Sequence, residues 1–258
     1  MKTQIDKRAL VDSSAQLGKN ITIGPYAIIG AEVKLGDGCR IDSFAQIMGY
    51  TQLGENCHIF TNAVIGNTPQ DLKYKGEKTF LFIGKNNIIR EFVTINPGTE
   101  KGSKTSVGDN NLIMAYSHIA HDCVIGSNNI LANASTLAGH VEIGNNVVIG
   151  GLVAIHQFCR LGDYSIIGGC SKVVQDIVPY SMCDGHPAVV RGLNLVGLRR
   201  ADFSRQLLGD LRKAFKILFF EDHPMDVSRR LIKEKLSSSA ELEYLLDFIS
   251  ASKRGVSK

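Results

Sequence analysis

The chain has 258 residues, with 29 Lys+Arg against 25 Asp+Glu, six Cys and no Trp, and it is 44% hydrophobic but only 7% aromatic, so its core must be aliphatic. No apolar run approaches the roughly 18 residues of a membrane helix, and the Cys spacings fit neither a zinc knuckle nor a disulfide framework. A net charge of +4 is too mild to point to nucleic acid. The start, Met1 to Asp6, lacks the apolar stretch of a secretory signal, so a reducing cytoplasm is the expected location.

From Val11 onward an aliphatic residue recurs every sixth position. Val11, Leu17, Ile23, Ile29, Leu35, Ile41, Ile47, Leu53, Ile59 and Ile65 form the first run. Ile83, Ile89 and Ile95 form a second, and a third runs from Val107 to Val173. Small or β-branched residues fill the fifth place, and Cys39, Cys57, Cys123 and Cys159 read there as packing. Asn20, Asn56, Asn86, Asn110, Asn128 and Asn146 fill the fourth, where a sharp corner needs a left-handed backbone. A six-residue period is neither helix nor alternating strand. It is the signature of a parallel β-helix of stacked coils.

Residues 67–82 and 97–106 break the pattern and read as loops thrown out of the coil. After Pro179 the hexads stop. The chain divides into a β-helix over 1–190 and a helical region over 191–258. Ser204 caps a helical pattern running to Phe219, and Met225–Leu236 and Ala240–Ser250 are further amphipathic helices. This tail carries 14 Lys+Arg and 9 Asp+Glu, so the basic charge sits there.

Four His lie between 118 and 156. With three hexads per coil, His121, Gly139 and Gln157 share one phase on successive coils, and Asp122 and His140 share the next. None is at the inward position, so all should face outward. A His with a carboxylate neighbour and a nearby glycine amide can serve as a general base beside an oxyanion donor. Two other readings stand beside it: solvated surface histidines, and a zinc site of His118, His121 and His140.

Longer motifs carry a resemblance. Ile83 to Thr99, His118-Ile-Ala-His-Asp-Cys123, Leu137-Ala-Gly-His140, Val153-Ala-Ile-His-Gln-Phe-Cys159, Pro69 to Tyr74 and Gly192 to Arg200 closely resemble the acyl-carrier-protein:UDP-N-acetylglucosamine O-acyltransferases, over essentially the whole chain. The resemblance implies a left-handed β-helix with a C-terminal helical domain, assembled as a homotrimer with sites between subunits. It implies transfer of a 3-hydroxyacyl chain from acyl carrier protein to UDP-N-acetylglucosamine, with no metal or cofactor. In that family's terms His121 is the general base, Asp122 orients it, and the Gly139 amide holds the oxyanion. Asp71, Lys73, His118, His140 and Gln157 position the sugar, diphosphate or acyl chain, and Asn194 and Arg200 take the nucleotide side. Gly169 falls at the acyl-length position, and with no side chain there the groove favours a chain of about 12–14 carbons.

Val196 and Ala201 depart from the acidic and basic residues often found at those places, which touches the nucleotide contacts. Acylation of a 3-amino UDP-sugar is the nearest alternative, and a zinc-dependent hexapeptide enzyme a further one. The related N-acylating enzyme has a domain ahead of its hexads, for which the early start at Val11 leaves no room. A non-enzymatic β-helix would show one residue type repeated along a flat face, and none is present. Arg205, Arg212, Lys213 and Lys216 on the tail suit an acidic carrier protein.

Overall fold

A computed structural model describes residues 2–258. Its 28 strands form three sheets of eleven, nine and eight strands. Successive strands go to successive sheets, so the chain winds around a three-sided prism. The first face begins with Gln4–Ile5, the second with Leu10–Val11 and the third with Gln16–Leu17. All neighbouring strands are parallel except the last pair of the first face, and in the regular coils matched residues are eighteen apart, as with His118 and Thr136.

The six-residue period follows from this geometry. Each side of the prism takes one hexad, and its aliphatic residue points at the axis. Ile23, Ile41, Ile59, Ile89 and Ile113 stack fully buried along the first face, and Ile47, Ile65, Ile95 and Ile119 along the second. The four fifth-place Cys are buried. Burial pushes the Cys123 thiol up to about 12 and Cys159 to about 11, so both stay neutral and act as packing.

Most corners from Asn20 onward are left-handed, and not only where Asn stands. Asn20, Asn56 and Asn110 have φ of 58°, 55° and 58°, but Tyr26, Phe44, Phe92, Tyr116 and Leu152 adopt the same conformation. The stacked coil imposes the turn on residues that avoid it by themselves. Asp122 and His140, at φ 58° and 59°, occupy corners of this kind.

The fifth place also holds an element the repeat pattern does not reveal. Asn87, Asn111 and Asn129 are buried and chained along one corner. Asn87 Oδ1 accepts from Asn111 N and Nδ2, Asn111 Oδ1 from Asn129 N, and Asn129 Oδ1 from Val147 N. The side-chain amides of Asn111 and Asn129 also donate to the Gly126 and Gly144 carbonyls. An Asn111→Leu protein should lose about 2–3 kcal/mol, because it strands buried donors and acceptors. Its melting temperature should fall by roughly 4–12 °C, and an unchanged melt would contradict the role given to the ladder.

Both interruptions leave from the corner between the second and third faces. The first lies between Val64–Ile65 and Phe80–Ile83, the second between Thr94–Ile95 and Lys104–Val107. Register shows their size: His58 pairs with Ile88, thirty residues on, and Phe80 with Lys104, twenty-four on. They are shorter than the stretches 67–82 and 97–106 expected as loops. Phe80–Phe82 and Lys104–Ser106 are strand, because Leu81 and Thr105 turn into the core beneath polar or aromatic neighbours.

A division at 190/191 cuts through a strand. The first face continues past the hexads as a hairpin of Ser181–Gly185 and Ala188–Leu193, the latter antiparallel. Helices follow: α1 (Leu195–Arg200), α2 (Arg205–Phe215), α3 (Met225–Lys235) and α4 (Ala240–Ser250). Ser204 Oγ accepts from Leu207 N and caps α2 as expected, and a π-turn over Lys216–Phe220 ends it. Helix α4 packs on the coil through Tyr244, whose hydroxyl donates to Asp163, and Phe248, which lies 4.4 Å under the Arg160 guanidinium.

Candidate active site

His121 and Asp122 turn the corner between the second and third faces, one coil beyond the second loop. Gly139 and His140 occupy the same corner on the next coil, and Gln157 and Phe158 on the one after. The stacking is direct: His140 N donates to His121 O at 3.0 Å, and Phe158 N to Gly139 O at 3.2 Å.

All of these residues point away from the axis, but they are not simply solvated. Only 13% of the His121 side chain and 10% of Asp122 are exposed. The two loops leave from the same corner on the preceding coils and fold over it. Thr99 of the second loop donates from Oγ1 to Asp122 Oδ2 at 2.6 Å, and its backbone N–H reaches the same carboxylate at 3.2 Å. Asp71 of the first loop brings Oδ2 to 3.6 Å from His121 Nε2.

Chain adjacency does make a hydrogen bond here, since His121 Nδ1 lies 2.9 Å from Asp122 Oδ2. Burial works to raise the Asp122 carboxyl, and the hydrogen bonds from Thr99 and His121 outweigh it, holding it below the usual carboxylate range. An ionised carboxylate only accepts, so Nδ1 is the donor of this bond, and in the neutral ring Nε2 carries the lone pair.

Gly139 is fixed by contact. A Cβ built on it would stand 2.6 Å from His121 Nε2, closer than any ordinary packing. A Gly139→Ala protein should therefore fold but lose roughly a hundredfold in rate, because the imidazole must move. Rate retained with an unshifted His121 would contradict this account.

His140 sets its ring edge-on to His121, at 5.2 Å and 88°, and stacks on Phe158 at 4.7 Å. Its Nε2 is 3.8 Å from Asp122 Oδ2. His118 looks down the second face, with Nδ1 2.6 Å from Thr94 Oγ1. Burial, and then the positive charge His121 carries when protonated, lower its pKa, so it serves as a neutral hydrogen-bonding ring. The three-histidine set is not assembled. The donor atoms within 4.8 Å of one another belong to His121, Asp122 and His140, and Asp122 Oδ2 is already engaged by Thr99 and His121. Gln157 is exposed, and Lys73 donates its backbone N–H to Asp71 Oδ1 at 2.9 Å while its side chain faces solvent. A groove of about 660 Å³ leads from Asp122, His140 and Phe158 across the third face to Arg160 and Arg254.

The other expected residues lie elsewhere on the prism. Gly169 is exposed at the corner between the first and second faces, where a Cβ would have only Gly151 within 4 Å. Asn194 caps the start of α1, by the corner between the third and first faces, and Arg200 is the last residue of that helix. Asn194 is a structural cap, accepting from Gly197 N at 3.0 Å and donating to Tyr164 O at 2.8 Å. Arg200 and Val196 are exposed.

A prism of six-residue repeats with a histidine–carboxylate pair at one corner is the frame of the hexapeptide-repeat transferases. The family model described as bacterial transferase hexapeptide (six repeats) matches residues 32–67, 104–139 and 140–175. A second, described as UDP N-acetylglucosamine O-acyltransferase, domain 2, matches 176–257. An acyl-[acyl-carrier-protein]–UDP-N-acetylglucosamine O-acyltransferase from Aquifex aeolicus is 58% identical, over 99% of this chain and 98% of its own. One from Trichlorobacter lovleyi is 56% identical over 98% of each. The crystal structure of a UDP-N-acetylglucosamine acyltransferase from Bacteroides fragilis superposes with a TM-score of 0.97 at 38% identity, over 99% of this chain and all of that one. The chain belongs to the acyl-carrier-protein:UDP-N-acetylglucosamine O-acyltransferase family.

Proposed function

We infer that the protein transfers a 3-hydroxyacyl chain from acyl carrier protein to the glucosamine 3-hydroxyl of UDP-N-acetylglucosamine, the first step of lipid A biosynthesis. The observation that carries the mechanism is the 2.9 Å bond between His121 Nδ1 and Asp122, which leaves Nε2 as the basic atom. Nε2 takes the proton of the 3-hydroxyl as its oxygen attacks the thioester carbonyl. Asp122 at one edge and Asp71 at the other stabilise the imidazolium that forms. The Gly139 N–H makes no hydrogen bond among the described residues and is available to the oxyanion. Collapse expels the carrier thiolate, which takes the proton back from His121. The products are the ester and the free carrier thiol.

The reading includes a trimer. His121, Gly169 and Arg200 lie at three different edges of one prism, so one chain does not gather them. Exposed Tyr26, Phe44, Phe92, Tyr116 and Leu152 form an apolar ridge along one corner, a surface that suits a second copy. Subunit complementation tests this. Mixed trimers of His121→Ala and Arg200→Ala chains, each inactive alone at low nucleotide concentration, should regain part of the activity. No recovery in verified mixed trimers would contradict a shared site.

His118, His140, Gln157 and Lys73 then hold the sugar, diphosphate and acyl chain around Nε2. Gly169 over Gly151 leaves a smooth strip for the acyl tail, and the best donor should carry about 12–14 carbons. A strong preference for a ten-carbon donor would refute that use of Gly169. The groove between Arg199, Arg205 and Arg212 is the proposed carrier dock. Lys213 and Lys216 contribute less, being paired with Asp210 and Glu221. Charge reversal at Arg205 and Arg212 should raise KM for the carrier-bound donor, and the effect should shrink with salt. The six cysteines are free and five are buried, which fits a reducing cytoplasm. Among the described residues no helix is long and apolar enough to cross a membrane.

A further inference from the structure

We propose that Thr99 is a positioning residue of the catalytic machinery, fixing the charge and aim of Asp122 and through it the tautomer of His121. The inference rests on the reading of His121 as the base.

The geometry is unusually complete for a residue in a loop. Thr99 is buried, and it gives both of its donors to one carboxylate. Its hydroxyl donates to Asp122 Oδ2 at 2.6 Å, and its amide bifurcates to Oδ1 and Oδ2 at 3.4 and 3.2 Å. The same Oδ2 receives His121 Nδ1. Three donors converge on one oxygen, and each favours the ionised form.

The loop that presents Thr99 is itself tied down. Gly102 N donates to Lys78 O at 2.9 Å, Gly98 N to Phe80 O at 3.3 Å, and Ser103 N to Glu100 O at 2.8 Å. Ser103 Oγ, buried with no hydrogen-bond partner, sits close enough to favour the Asp122 charge as well. The six-residue insertion thus does a specific task. It carries a hydroxyl from one coil to the corner of the next, where the regular hexad has nothing to reach Asp122.

Without Thr99, the hydrogen bond that Asp122 keeps among the described residues is the one from His121. The carboxylate then rotates more freely and protonates more readily. The charged and titratable groups facing it are His121 and His140 on its own corner and Asp71 from the first loop. Across the groove stand Glu142 and Arg160 on the third face, the buried Asp176, and Lys253 and Arg254 of the C-terminal tail. None of these groups is hydrogen-bonded to Thr99, whose side chain bonds Asp122, so a shift in pH dependence reports the Thr99 bond.

The test compares Thr99→Val and Thr99→Ser with wild type. Thr99→Val should lower kcat by roughly ten- to a hundredfold with both KM values kept. Its acid limb should move to higher pH, since a weaker hold on the carboxylate raises the pH at which the pair becomes protonated. Thr99→Ser, which keeps the hydroxyl, should restore most of the rate and the original profile. Spectra of 15N-histidine-labelled protein give a readout independent of turnover: His121 should be the Nδ1–H tautomer in wild type and mixed in Thr99→Val. Unchanged kcat, profile and tautomer in Thr99→Val would overturn the proposal. So would equal loss in both variants, or loss confined to KM, since these mark packing alone. An inactive wild type would count against the proposed reaction, and the tautomer spectra would still decide the role of Thr99.

Discussion

A His121→Ala protein is expected to lose turnover by about 10²–10⁴-fold, the usual worth of a positioned general base, while keeping its fold. The reason for the first half is that neither neighbouring histidine has access to the acceptor proton from the same place. His140 stands edge-on to His121 and has its face against Phe158, and His118 is turned to Thr94. The reason for the second half is the corner. His121 projects outward between Ala120 and Asp122, and the core contacts of that coil come from Ile119 and Cys123, which are untouched. Rate and thermal melt measured on one preparation check both halves. A near-normal rate would remove His121 from the mechanism, and a collapsed melt would mean its role is structural.

Replacing Asp122 by Asn is the second large effect expected. Asn tolerates the left-handed corner, so the backbone is preserved. The amide lacks the charge that favours an imidazolium, and it can donate to Nδ1 and so select the wrong tautomer. Loss of a buried carboxylate from a His–Asp pair can cost up to about 10⁴-fold with geometry intact. Acid stability gives a second readout. The folded carboxyl is held below its ordinary value, so it contributes stability above roughly pH 4 that is lost as pH falls through its folded value. The Asn variant should lack that increment and melt with a weaker dependence on acid. A wild-type rate in Asp122→Asn would show that the 2.9 Å contact is incidental.

Much of this was legible in the residues because a hexad repeat converts sequence position into spatial position. The aliphatic period gave the faces, and eighteen-residue arithmetic stacked Gly139 and Gln157 above His121. What the period conceals is what lies outside it. Thr99 is twenty-three residues from Asp122, and only the register jump at the second insertion brings it to that corner. Asp71 reaches Nε2 through a loop with no period to read. Covering by the loops also explains why outward-facing histidines are nearly buried. The Asn87–Asn111–Asn129 ladder left a trace in the paired Asn of Asn86-Asn87, Asn110-Asn111 and Asn128-Asn129, but the first of each pair satisfied the corner and hid the second. Strand Ala188–Leu193 extends the first face after the hexads end, because a hairpin closes the last coil without needing the repeat.

The most direct test of the account is a transfer reaction read by product mass. Purified protein is mixed with UDP-N-acetylglucosamine and 3-hydroxyacyl carrier-protein donors of graded length, with the 3-amino nucleotide in parallel. The account predicts an O-acylated UDP-N-acetylglucosamine that disappears with His121→Ala. Product from the amino nucleotide alone, or no product from any pair with the fold intact, would contradict it.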